Sequence, residues 1–262
     1  MIKSAFSQRH MIYSLAKREI EAKFRGSILG LLWLVVMPIL MLLIYTFVFG
    51  VIFKTRWGID GGDGSQYSLI LFAGLIVFNI FAECVGRAPV LVTSNVNYVK
   101  KVVFPLEILP WTILLVALFQ AIVSLFVWLA AHFILFGLPP ITALLLPIVL
   151  LPYLLFVLGL SWFLASLGVF LRDVSQVISI MVTVLLFMSP IFYPISVVPE
   201  AFRFIYMLNP ITYAVEMSRE VLFFGHIPDL INFAVFSVAA TLVASIGFAW
   251  FQKTRKGFAD VL

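Results

Sequence analysis

Residues 108–171 read ILPWTILLVALFQAIVSLFVWLAAHFILFGLPPITALLLPIVLLPYLLFVLGLSWFLASLGVFL, a run without Asp, Glu, Lys or Arg. A helix needs about 20 apolar residues to cross a roughly 30 Å hydrocarbon core, so this run is far too long for one crossing. Gly137-Leu138-Pro139-Pro140 lies near its middle, and glycine with paired prolines stops a helix and favours a tight turn. The stretch reads as two membrane spans joined by a hairpin. Outward from it, the same length test places four more spans in residues 26–53, 64–82, 174–199 (ending near Ser189-Pro190) and 230–252. The expected fold is an all-α membrane protein with six transmembrane helices.

Composition points the same way. Apolar residues make up 63% of the chain and charged residues 11%, against soluble norms of roughly 45–50% and about 25%. A chain of this size folding in water buries only about three quarters of its unfolded surface, so lipid must solvate much of the rest. The formal charge of +5 does not indicate nucleic acid, because the basic residues fill gaps between apolar runs instead of forming a stripe. With the N-terminus inside, 13 of the 17 Lys and Arg fall on the inner side and only Lys54, Arg56, Arg203 and Arg219 on the outer. That asymmetry sets orientation and puts both termini in the cytoplasm. Trp33, Trp111 and Trp250 near inner ends, with Trp57 and Trp128 near outer ends, read as interfacial anchors. The first 25 residues are too charged for a cleavable leader, so the first span serves as the insertion signal.

Three segments do not fit plain spans. Within residues 1–27, Ile12, Leu15, Ala16, Ile20 and Phe24 recur at helical spacing among charges, which predicts an amphipathic helix at the cytoplasmic interface. Glu19–Lys23 and Glu21–Arg25 are expected as i,i+4 pairs along it. The helix suits either orientation or the docking of a partner. Residues 87–110 are too polar to span and too apolar for a solvated linker, which predicts a short helix along the inner membrane surface, open to a cytoplasmic partner. Residues 196–225 open with Pro199 and are cut by Asn209-Pro210 into two apolar pieces, each too short to cross. Broken backbone at membrane depth is tolerated only against protein or a water-filled cavity, which predicts an outer re-entrant helical pair acting as a gate. The membrane domain then covers residues 28–252, followed by a cytoplasmic tail, 253–262.

Residues for chemistry are scarce. There is no phosphate-cradling G-x-x-x-x-G-K-[ST] run and no H-E-x-x-H. His10, His132 and His226 share no spacing, and a lone His132 in a span reads as a hydrogen-bonded packing residue. Cys84 is the single cysteine and reads as a small buried apolar group. Asp60-Gly61-Gly62-Asp63-Gly64 is a turn rather than a calcium loop. No ionisable group falls at mid-span, so the driving force for transport is expected from outside the chain. Asn79, Gln120, Ser124 and Thr183 read as interhelical hydrogen-bonding glue, and Ala240/Ala244, Ser245/Ala249 and Ser161/Ala165 as close-packing points.

Residues 18–33 (Arg18-Glu19-Ile20, Lys23-Phe24-Arg25, Gly26-Ser27-Ile28-Leu29-Gly30-Leu31-Leu32-Trp33), then Pro38, resemble the N-terminal signature of ABC-2-type export permeases. Residues 97–110 (NYVKKVVFPLEILP) are similar to that family's cytoplasmic loop, although the family often has Arg where this chain has Leu106. Arg172-Asp173, Ser189-Pro190-Ile191-Phe192-Tyr193-Pro194, Leu208-Asn209-Pro210 and Arg219 follow in the family's order. Within the family the chain most resembles permeases that export bacterial O-antigen, capsule or teichoic acid. The resemblance implies a homodimer in the bacterial inner membrane, bound to two copies of a separate ATPase that holds ATP and Mg, with no cofactor in this chain. It implies export of lipid-linked polysaccharide on an undecaprenyl-type carrier; a permease for a drug or other small amphiphile is the alternative, and an enzyme the least favoured reading. It also implies that Arg18, Glu19, Lys23, Arg25, Asn97, Lys100, Lys101 and Glu107 face the ATPase. Tyr45, Phe49, Phe187, Phe192 and Tyr193, on or beside spans 1 and 5, are the candidate channel lining. Pro199, Asn209, Pro210 and Arg219 are the candidate outer gate.

Overall fold

The computed structural model describes residues 6–53, 57, 64–100 and 104–262, and these are helical with short turns between. The order is α1 (Arg9–Lys23), α2 (Trp33–Tyr45, running on as a π-helical stretch over Thr46–Ile52), α3 (Gly64–Arg87), α4 (Leu109–Phe136) and α5 (Leu146–Phe170). It continues with α6 (Val174–Phe187), α7 (Glu200–Leu208), α8 (Pro210–Arg219) and α9 (Leu230–Thr254). Among the described residues, five helical segments are long and apolar enough to cross a membrane: Gly30–Ile52, Gly64–Leu91, Leu106–Phe136, Ile141–Phe170 and Leu230–Val261. α6 is apolar but has 14 residues, a rise of about 21 Å, because Met188-Ser189-Pro190 ends it well before residue 199.

Local chemistry sets the boundaries. α4 stops at Gly137, whose φ of 84° suits glycine, and Pro139-Pro140 start the return. Span α3 outlasts its charge-free stretch: Glu83 and Arg87 sit one turn apart and pair at 2.8 Å, so the helix runs on where the first charge predicted its end. Asn209 accepts the backbone N–H of Ile211 at 3.0 Å as the N-cap of α8, with Pro210 at the first helical position.

α3 is the central helix. It touches α2, α4, α5, α6 and α8 and buries a nearly unbroken run from Tyr67 to Phe78. α2 lies at the rim, with Leu42 its one buried residue. Trp128 differs from its expected place: it is fully buried and its indole N–H donates to Leu69 O at 2.8 Å. It pins α4 to α3 instead of anchoring in headgroups. His132 is buried beside it, within hydrogen-bond reach (3.1 Å) of Gly137 O.

A close helix contact joins α5 and α9. A Cβ on Gly247 would fall 2.1 Å from Gly159 O, and one on Gly159 would fall 2.7 Å from Ala244 Cα. Ala240, Ala244, Ser161 and Ala165 are buried as expected, but Ser245 and Ala249 are exposed. Beyond α9 the chain does not trail off as a tail. Phe258 is fully buried, its ring 5.5 Å from Phe251 and 5.9 Å from Phe170.

Candidate functional site

Two surfaces gather the residues singled out above. The first lies where α1 meets the C-terminal end of α3 and the N-terminal end of α4. Ile12 and Ala16 are buried, which leaves the charged face of α1 to meet partners. The expected Glu19–Lys23 pair is replaced by pairs between elements, Glu19 with Arg87 and Lys23 with Glu83 at 3.9 Å, while Glu21 pairs within α1 with Lys17 at 3.9 Å instead of with Arg25. Arg18 donates to Tyr98 Oη at 2.7 Å, and the Tyr98 ring stacks on Phe104 with centroids 4.2 Å apart. Arg87 therefore bridges Glu19 and Glu83, fastening α1 to span α3 while Tyr98 fastens it to the loop over residues 87–110. Between them lies a cavity of about 630 Å³ whose walls include Arg18, Glu19, Arg25, Arg87, Asn95 and Tyr98.

Of the other expected inner residues, Asn97 and Lys100 are exposed on and beside the one-turn helix Val96–Val99. Lys101 lies outside the described residues. Glu107 turns to the C-terminal segment, meeting Arg255 at 2.8 Å, and its carbonyl accepts the Trp162 indole N–H at 3.0 Å. The sequence reading missed Glu83, Arg87 and Tyr98 as partners; the four-residue spacing of Glu83 and Arg87 was the available signal.

The second surface is aromatic and lies towards the opposite ends of the spans. Phe49 stands 6.4 Å from Tyr45, 5.5 Å from Tyr67 and 6.3 Å from Phe192, and Phe192 stands 5.7 Å from Phe187. Four of the five rings expected to line a channel are thus one continuous stripe across α2, α3 and the end of α6. Tyr67 joins it unforeseen, its hydroxyl donating to Phe192 O. Tyr193 is set apart: its hydroxyl meets Phe187 O and the Tyr206 hydroxyl, the latter at 2.8 Å. With Pro199 and Tyr206 it walls a separate cavity of about 340 Å³.

Behind the stripe, Asn209 donates to Ser189 Oγ at 2.9 Å, tying the α7–α8 turn to the end of α6. Arg219 is 1% exposed. Its guanidinium donates to Ile70 O at 3.0 Å, Ile191 O at 2.8 Å, Pro190 O and Glu216 Oε1 at 2.9 Å, and lies 4.5 Å from the centre of the Trp57 ring. Gly74 makes room, since a Cβ there would fall 2.7 Å from an Arg219 nitrogen. Among the described residues no group of three or more His, Cys, Asp and Glu is placed to hold a metal ion. The residues form an ion-paired face at one end of the bundle and an aromatic stripe towards the other.

Comparison with known proteins agrees in extent. The profile described as "ABC-2 type transporter" matches residues 10–223. The O-antigen export system permease protein RfbA of Myxococcus xanthus is 28% identical over 266 residues, covering 99% of this chain and 98% of the relative. A Klebsiella pneumoniae protein of the same name is 24% identical over 254 residues, covering 96% and 95%. The polysialic acid transport protein KpsM of Escherichia coli is 28% identical over 266 residues, covering 98% of each. A profile match over most of the chain, on an all-helical bundle with five membrane-length helices, makes this chain a member of the ABC-2 type transporter family.

Proposed function

We propose that the chain is the permease subunit of an ATP-driven exporter that moves lipid-linked polysaccharide outward across the bacterial inner membrane. The observation that carries this reading is near-full-length similarity to permeases named for two different polymers, O-antigen and polysialic acid. The stripe of Tyr45, Phe49, Phe187 and Phe192, backed by the buried Tyr67, supports it, since ring faces stack on the C–H faces of sugars without fixing any one residue of a sliding chain. α6 supplies the sixth crossing with help from residues 188–194, both termini stay in the cytoplasm, and α7 and α8 form the re-entrant outer pair. The rim position of α2 suits a homodimer whose path runs between two copies. Each copy engages one ATPase, which binds the ATP and Mg, through α1 and the loop over residues 87–110.

Deletion of the gene is expected to leave polymer inside the cell, and the intact chain to restore surface polymer. Restoration without polymer build-up, together with ATPase stimulation by small amphiphiles, would overturn the reading. The coupling face has its own test. Arg87→Glu brings a third carboxylate beside Glu19 and Glu83, a repulsion large enough for about a tenfold loss of export. Co-purification of the ATPase is expected to fall with it. The exchange Arg87→Glu with Glu83→Arg is expected to recover part of both, and equal export by the single variant would remove the coupling role.

A further inference from the structure

Spans α2, α3 and α4 enclose a cleft that lies between the two surfaces, with Glu83 and Arg87 at one end and Tyr45 on a wall. Two adjoining cavities, of about 390 and about 340 Å³, share Asn79 from α3 and Gln120 and Ser124 from α4 among their walls. Gln120 and Ser124 are one turn apart and share a face. Asn79 lies eight residues inside Arg87, about 12 Å along the helix. Among the described residues none of the three side chains has a hydrogen-bond partner, so they are not the interhelical glue that their residue types suggested. Unpartnered amides at this depth are costly to leave against hydrocarbon, so the cleft is built to face something polar.

Its chemistry narrows what that is. Lys23 and Glu83, at the inner mouth, are spent on each other and Arg87 on Glu19 and Glu83, so the interior presents neutral donors and acceptors. Phe24, Trp33 and Tyr45 add ring faces to the same walls. Amides and a hydroxyl beside aromatic rings match a neutral, hydroxyl-rich ring, whose O–H groups exchange hydrogen bonds while its C–H face stacks. α2, which forms one wall, is otherwise largely exposed, so a ligand anchored in the bilayer reaches the cleft from the side.

We infer that this cleft binds the sugar residue nearest the lipid end of the transported chain, a site that adjoins the aromatic path at Tyr45. The inference rests on the polysaccharide-export reading. The test is equilibrium binding of a monoglycosylated polyprenyl phosphate to the full chain in nanodiscs, with the sugar-free polyprenyl phosphate as the second arm. Asn79→Leu and Gln120→Leu are near in volume and suit a span, so both fold. Each is expected to weaken binding of the glycosylated lipid about three- to tenfold, the size of one or two neutral hydrogen bonds, and to leave the sugar-free lipid unaffected.

Equal affinity of both variants and the native chain for the glycosylated lipid would overturn the site and leave a cleft filled by water. An equal loss for the sugar-free lipid would assign the cleft to the phosphate and overturn the sugar. Export of polymer by the native complex is measured in parallel. If it proceeds while binding is insensitive to both variants, the cleft alone fails; if the native complex moves no polymer, the export reading falls and the cleft with it.

Discussion

Arg219→Met is expected to cost the fold about 3–5 kcal/mol, the penalty for removing one partner of a buried charge network. The side chain is 1% exposed and serves three carbonyls, one carboxylate and one indole face. Its loss strands the carbonyl oxygens of Pro190 and Ile191, which follow a broken helix and have few other donors nearby, and leaves Glu216 without its counter-charge. Lysine is a poor substitute, because one ammonium on a flexible stem cannot span Ile70, Ile191 and Glu216 in the fixed fork of a guanidinium. The measurement is the midpoint of heat unfolding in mild detergent, read by labelling of Cys84. That thiol is the only one in the chain and is buried, so it reacts when the core opens. Gly74→Ala provides a milder version, since its Cβ meets the guanidinium at 2.7 Å. An unchanged midpoint for Arg219→Met would mean that this end of the bundle is held by other contacts.

Gly247→Val is expected to be comparably damaging. Helix propensity alone predicts the opposite sign for a small side chain here, because Gly to Ala in an exposed helix gains about 0.8–1 kcal/mol. The clash decides the outcome: the added Cβ falls 2.1 Å from Gly159 O, and the obstructing atom is backbone that cannot rotate aside. Overpacking of this kind costs about 1–3 kcal/mol and sometimes more, and it separates α5 from α9 along their whole seam. Gly86→Ala is the control, since nothing lies within 4 Å of its added Cβ. The same Cys84 readout is expected to show a large fall for Gly247→Val and none for Gly86→Ala. Equal midpoints for the two would show that the seam tolerates spreading.

Both effects depend on contacts that a sequence states poorly. The long spans were legible because lipid demands about 20 apolar residues from each and the chain supplies such runs in plain view. The helical period of Ile12, Ala16 and their neighbours gave α1 for the same reason. The partners of its charges were not legible: Glu19 lies one turn from Lys23 in sequence, yet it meets Arg87, because the fold brings a stronger donor to it. Arg219 looked like an outer-loop cation, since buried and exposed arginines are written alike and only the carbonyls around it tell them apart. The four linked aromatics Tyr45, Phe49, Phe187 and Phe192 were found by placing them on two spans, whereas Tyr67 was hidden inside a third. Residue types also misled: Asn79 and Gln120 suggested interhelical hydrogen bonds, but both line a cleft and neither has a partner among the described residues.

The seam between Gly159 and Gly247 also sets a clock. The two glycines are 88 positions apart in the chain, so at roughly 5–20 residues per second the ribosome needs about 4–18 s to deliver the second after the first. For that interval the groove along α5, narrow and lined by backbone oxygen, is in the bilayer without its matching helix. Any other small-residue helix present in the membrane competes for it. Fidelity of assembly thus depends on α9 arriving before a stranger does, and slow translation through residues 171–229 is a hazard that the folded state itself gives no sign of.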